Sequence, residues 1–164
     1  MITPIRKYNF WDESPVDLGY PRTFYTDKIG QYVDNKLIKV LVGQRRAGKS
    51  YILRQVAAQL IANGTPPRNI LYINKEYLEF SDILDYQDLE NLFQQYKKDL
   101  NPQGKVFLFI DEIQGIEEWE RFVNSHSQDF AEPCEIFISG SNSSLLSGEL
   151  ATLLSGRYVA FEIL

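Results

Sequence analysis

The run Gly43-Gln44-Arg45-Arg46-Ala47-Gly48-Lys49-Ser50 completes the pattern G-x-x-x-x-G-K-[ST], and every fixed position in it has a physical task. The glycines permit positive φ and close backbone approach, so successive N–H groups can form a concave nest for phosphate oxygens. A helix opening near Gly48 would aim the positive end of its dipole at the same anion. Lys49 is then placed to reach the β- and γ-phosphates, and the Ser50 hydroxyl to complete a Mg²⁺ shell. Tyr51 follows in the first helical turn and is counted with Gly43 to Ser50 in the nucleotide-binding set. The chemistry implied is capture of a nucleoside triphosphate with its Mg²⁺ by a P-loop.

Three further groups fit that chemistry. Asp111-Glu112 closes the apolar run Val106 to Ile110. Charges there are costly unless they lie at a strand's mouth and meet a cation. In this Walker B arrangement Asp111 would hold Mg²⁺ through water, and Glu112 would orient and partly deprotonate the water that attacks the γ-phosphate. Ser139-Gly140-Ser141-Asn142-Ser143-Ser144 follows the next apolar run. Ser141 and Asn142 are the candidate γ-phosphate sensors in it, although a helix cap or serine-rich turn explains the same residues without function. Arg157, after Gly156 and just before the last apolar run, could touch the γ-phosphate of its own or a neighbouring subunit, or form a surface salt bridge.

These groups need elements to position them. Leu37 to Val42, Ile70 to Ile73, Val106 to Ile110, Glu135 to Ser139 and Tyr158 to Leu164 read as strands, the third too uniformly apolar to have a solvated face. Between them, Ile52, Leu53, Val56 and Leu60 keep helical spacing, as do Leu89, Leu92, Phe93, Tyr96 and Leu100, and a short helix carries Ile116, Trp119, Phe122 and Val123. A further short helix is expected from about Arg22 to Asn35. Residues 1–21, with Pro4, Pro15 and Pro21, read as an irregular arm packed on a core spanning 22–164. Alternating strands and helices imply right-handed crossovers and the α/β, three-layer P-loop NTPase fold, a parallel five-stranded sheet flanked by helices with its ligand at the C-terminal strand ends. The strand ending at Asp111 is expected beside the strand ending at Gly43 or one strand away, about 5 to 10 Å off, which brings Asp111 near Ser50.

Composition agrees with a single folded domain: 44% of residues are hydrophobic, which is ample apolar surface to offset ordering entropy. The longest apolar stretches fall far short of the ~20 residues that cross a bilayer, and no signal pattern opens the chain, so a cytoplasmic protein without membrane partners is expected. Cys134 permits no internal disulfide and reads as a small buried hydrophobe. A formal charge of −5 argues against holding nucleic acid by overall electrostatics. Seven basic residues and no acid lie between Lys36 and Arg68, a block expected to surround the phosphate site. His126 has no Cys or His neighbour in sequence to share a metal, and Trp11 and Trp119 read as packing aromatics.

Taken together and in order, GQRRAGKS, VFLFIDEIQ and ISGSNSSLLSGELATLLSGRY resemble the bacterial and archaeal AAA-type ATPases whose ATPase domain precedes a C-terminal domain of unknown function. The resemblance runs from about Arg22 to the end, and the third motif is the more particular to that group. It implies adenine specificity, ATP binding and hydrolysis by Lys49, Ser50, Asp111 and Glu112, coupled to conformational change. It further implies Ser141 or Asn142 as sensor, Arg157 as the arginine of the family motif, and assembly into a homo-oligomer. The chain stops inside an apolar strand without the family's helical lid and C-terminal domain, so it is expected to be an N-terminal fragment, and any protein or nucleic-acid partner of those parts is unknown. Two other functions share the P-loop: a nucleotide-dependent binding switch that hydrolyses little, against which Glu112 argues, and a small-molecule kinase, for which no arginine-rich lid is visible.

Overall fold

Five apolar-rich segments form the strands β1 (Ile38–Gly43), β2 (Ile70–Asn74), β3 (Val106–Asp111), β4 (Cys134–Gly140) and β5 (Tyr158–Ile163). They are seen in a computed structural model that describes residues 2–13, 15–141 and 147–164. All pair in parallel, in the order β2-β3-β4-β1-β5. The strand ending at Asp111 is thus one strand removed from the strand ending at Gly43. The ladder runs a residue beyond the apolar stretch at Asn74, Asp111 and Gly140, so polar groups and a glycine end the strands at the same mouth of the sheet.

The helices are α1 (Ile2–Ile5), α2 (Thr23–Gly30), α3 (Lys49–Ala62), α4 (Tyr86–Leu100), α5 (Trp119–Ser127) and α6 (Ser147–Leu153). Strand residues alternate between two layers. Ile38, Val40, Leu71, Ile73, Leu108, Ile110, Ile136 and Ile138 face the layer that holds α1, α4 and α5. Leu41, Tyr72, Phe107, Phe109 and Phe137 face the layer that holds α2 and α3. By this alternation Asp111 and Ser139 belong to the α3 side, the side of the P-loop helix. No described helix is long and apolar enough to cross a membrane.

Four expectations need correction. The N-terminal arm is not wholly irregular, because Ile2 and Ile5, three apart, bury one helical turn in the core, and a 3₁₀ turn at Arg6–Tyr8 follows. The helix expected to reach Asn35 ends at Gly30, and the chain then turns through Asp34 at φ 70°. Ile116 lies outside its helix: a 3₁₀ turn at Ile113–Gly115 precedes it, and Glu118 at φ 54° restarts the helix at Trp119. Finally, the basic block does not gather around the P-loop. Parallel strands carry Lys36, Lys39 and Arg68 to the N-terminal ends of β1 and β2, opposite the mouth, and only Arg45, Arg46, Lys49 and Arg54 lie on the loop or the helix that follows it.

Lys39 instead forms a buried ion pair. Its Nζ donates to Glu135 Oε2 at 2.9 Å and to Asn35 Oδ1 at 2.9 Å, with neither charged side chain exposed beyond 1%. Lys105 reaches the other Glu135 oxygen at 2.5 Å. Burial holds the Lys39 ammonium below its ordinary pKa, with Glu135 pulling the other way. The pair ties β1 to β4 at the base of the sheet. Glu135→Leu leaves the Lys39 charge buried without its counter-ion and is expected to cost about 3 to 5 kcal/mol, while Lys39→Met/Glu135→Leu should recover most of it. Urea unfolding of the two variants checks this, and equal losses would mean that the pairing is not what matters.

Candidate nucleotide-binding site

The P-loop leaves β1 at Gly43, where an added Cβ would meet the Ile163 carbonyl oxygen of β5 at 2.6 Å, so only glycine fits. At its other end Gly48 takes φ 91°, a left-handed value that favours glycine, and caps α3 without any side-chain cap. The first N–H groups of α3 therefore face the loop without intrahelical carbonyls, the arrangement that receives an anion. Lys49 is buried, and its ammonium donates to the carbonyls of Gly43 at 2.7 Å and Gln44 at 2.8 Å, back across its own loop. Gln44, Arg45 and Arg46 are exposed, and Ala47, Gly48 and Ser50 half-buried. Tyr51 turns its side chain to the N-terminal segment, with its hydroxyl 3.3 Å from Asp17 Oδ2, its ring against Gly19 and the Arg54 guanidinium 4.7 Å from its centroid.

Asp111 is fully buried. Its Oδ1 accepts from the Ser139 hydroxyl at 2.5 Å, and its Oδ2 from the Tyr72 phenol at 2.7 Å and Asn74 Nδ2 at 3.3 Å. Among the described residues Asp111 takes part in no ion pair, so its donors are all neutral. Burial and the neighbouring Asp111 push the Tyr72 phenol far above its ordinary pKa, which keeps it a donor. Glu112 sits at φ 57°, ψ 52°, a conformation uncommon outside glycine. Its N–H donates to Ser139 Oγ at 3.0 Å and its carboxylate accepts from Gln114 Nε2 at 2.5 Å. One serine on β4 thus fixes both members of the acidic pair.

Ser141 follows β4 directly, and Gly140 is level with Val42, so Ser141 lies at the mouth beside the start of the P-loop. Asn142 lies outside the described residues. Arg157 is exposed, and its carbonyl accepts from Ile38 N at 3.0 Å. It therefore stands at the base of β5, whereas Gly43 pairs with Ile163 at the other end. Five strand steps of about 3.3 Å separate those levels, roughly 17 Å, so Arg157 does not reach its own P-loop. His126 packs on Phe93 and Phe122 and pairs with Glu90 at 2.5 Å, away from this site.

Residues with no motif signal also meet the P-loop. The sequence marks Arg22 only as the start of a helix. Its Nη1 donates to Ala47 O at 3.0 Å and its Nη2 to Leu164 O at 3.4 Å, and it lies over Gly48, where a Cβ would meet Nη1 at 2.7 Å. Arg22, Gln44 to Ala47 and Glu162 to Leu164 line a cleft of about 750 Å³ beside the loop. Gln55 on α3 holds this N-terminal segment in place through Leu18 O, Tyr20 O and Arg22 N.

A family profile described as an AAA domain matches residues 35–164. The chain belongs to the AAA domain family. This AAA domain is 44% identical over 142 residues to a protein of Haemophilus influenzae and 37% identical over 132 residues to protein MJ1544 of Methanocaldococcus jannaschii. The matches cover 87% and 80% of this chain but only 34% and 27% of those proteins, so the chain spans about a third of their length. Its fold is similar to that of AMPPCP-bound DnaA from Aquifex aeolicus, at a TM-score of 0.53 and 17% identity, over 96% of this chain and 50% of that one. The AAA domain and its P-loop NTPase sheet make this a nucleotide-binding architecture.

Proposed function

We propose that this AAA domain binds ATP with Mg²⁺ and hydrolyses it, and that hydrolysis is coupled to a conformational change. The observation that carries the reading is Asp111: a fully buried carboxylate, met by neutral donors alone among the described residues, on the α3 side of the sheet and one strand from the P-loop. Such a charge is costly where it stands unless a cation meets it in the working state. The uncapped start of α3 and the Gly48 conformation fit a triphosphate.

In this reading the N–H groups of the loop and the first turn of α3 bind the phosphate oxygens. The Lys49 ammonium exchanges the Gly43 and Gln44 carbonyls for the β- and γ-phosphates. Ser50 and Asp111 are the residues that hold Mg²⁺, which when bound offsets the charge of the phosphate oxygens. Glu112 accepts a proton from the attacking water as its oxygen bonds to the γ-phosphorus and the bond to the β-bridging oxygen breaks, giving ADP and phosphate. Ser141 or Asn142 senses the γ-phosphate. A binding switch with little hydrolysis would use the same loop, and the Gln114 contact, which restrains Glu112, favours it as a second reading.

Lys49→Ala should abolish most nucleotide affinity while the fold persists, whereas Glu112→Gln should bind ATP as the parent does and turn it over at least a hundredfold more slowly. Equilibrium binding and steady-state phosphate release check both. Parental turnover in Glu112→Gln would remove Glu112 as the base, and binding without turnover in the parent would favour the switch.

Arg157, at the base of the sheet, is assigned to the γ-phosphate of a neighbouring copy in a homo-oligomer. Parental activity per molecule should rise with protein concentration as copies meet, and Arg157→Ala should lower the plateau by about 10³ with little effect on binding. Equal turnover of the two proteins across the concentration series would make Arg157 a structural residue.

A further inference from the structure

The Mg²⁺ site requires one particular orientation of the Asp111 carboxylate, and the fold supplies it from two neighbouring strands. Resting on the reading of Asp111 as the residue that holds Mg²⁺, we propose that Tyr72 and Ser139 are positioning residues for that carboxylate, one on each oxygen.

A carboxylate offers roughly four lone-pair sites. Ser139 occupies one on Oδ1, and Tyr72 and Asn74 take those on Oδ2. Asn74 Nδ2 also lies 3.2 Å from the Tyr72 hydroxyl, which closes a triangle around Oδ2. The carboxylate cannot rotate without breaking these bonds, so its remaining acceptor direction is set. Partners of a direct metal ligand typically matter about 10- to 100-fold in metal affinity or activity; Asp111 meets Mg²⁺ through water, so the low end of that range is expected for Tyr72 and Ser139.

Tyr72 itself is held rigidly although β2 is an edge strand. Asn9 from the N-terminal arm pairs with its backbone as a neighbouring strand would, accepting from Tyr72 N at 2.7 Å and donating to Tyr72 O at 3.2 Å. The ring lies in the α3 layer, with the Arg54 guanidinium 6.0 Å from its centroid. Packing alone does not call for a tyrosine in this layer, since Phe107, Phe109 and Phe137 fill equivalent positions on β3 and β4. A buried hydroxyl with no partner is costly. The oxygen that distinguishes Tyr72 from those phenylalanines is the one bonded to Asp111.

The test titrates Mg²⁺ against a fluorescent ATP analogue at fixed concentration and also measures the analogue's affinity in EDTA. It uses the parent, Asp111→Asn, Tyr72→Phe and Ser139→Ala. Tyr72→Phe keeps the ring and its packing. It is expected to bind the analogue in EDTA as the parent does and to need about tenfold more Mg²⁺ for half-saturation, whereas a merely structural residue would alter both or neither. Ser139→Ala should give the same signature and stands in for Tyr72→Phe should the latter be unfolded at the assay temperature. If Asp111→Asn loses the Mg²⁺ response while Tyr72→Phe and Ser139→Ala titrate like the parent, the positioning roles are overturned and the Asp111 reading stands. If Asp111→Asn responds to Mg²⁺ as the parent does, the Asp111 reading fails and the inference fails with it.

Discussion

A carboxylate removed wholly from water persists only where its oxygens are hydrogen-bonded, and it stays costly until a cation also meets it. Asp111 is such a group, and the arrangement of the sheet around it follows from the need to bring donors to it. β2 and β4 flank β3, which places Asn74 and Ser139 on either side of Asp111 and Tyr72 two residues below Asn74 on the same face. β1 comes next, so the P-loop opens one strand away. The alternation that puts Phe107 and Phe109 under α3 carries the Asp111 side chain to that side too. A slip of one residue in β3 would turn the carboxylate to the opposite layer.

The parallel sheet has two chemically distinct ends. Its mouth gathers Gly43, Asn74, Asp111 and Ser141. Its base gathers the Lys39, Glu135, Lys105 and Asp34 network, together with Arg68 and Arg157. The base network is closed on itself, each buried charge facing an opposite one, and it ties β1 to β4. The mouth is built differently: Asp111 is matched by neutral donors, and Lys49 by the carbonyls of its own loop. Matched charges suit a structural role, and the mouth's composition suits a site whose charges find their partners in a ligand.

Much of this was legible in the sequence because it is local. The P-loop, the acidic pair after an apolar strand and the stripe from Leu89 to Leu100 are read from neighbouring residues, and the five strands formed within one residue of the expected ends. What is set by strand order and register was not legible. Tyr72 read as one apolar residue among Ile70 to Ile73, and its hydroxyl acquires a partner only when β2 pairs with β3. Ser139 read as part of a polar cluster after β4 and proved to bond Asp111 and Glu112. Lys39 lies close to the phosphate site in sequence, yet most of the length of β1 separates them. Arg22 reaches the P-loop from 25 residues before Ala47 through a segment held by Gln55.

The most direct measurement is the crystal structure of this chain grown with Mg²⁺ and a non-hydrolysable ATP analogue. The account predicts the triphosphate at the start of α3, and the Lys49 ammonium moved from the Gly43 and Gln44 carbonyls to the phosphates. It further predicts the metal on the Ser50 hydroxyl, joined through water to an Asp111 carboxylate that still accepts from Tyr72 and Ser139. A nucleotide bound elsewhere, or a metal bound with no contact to Ser50 or Asp111, would contradict it.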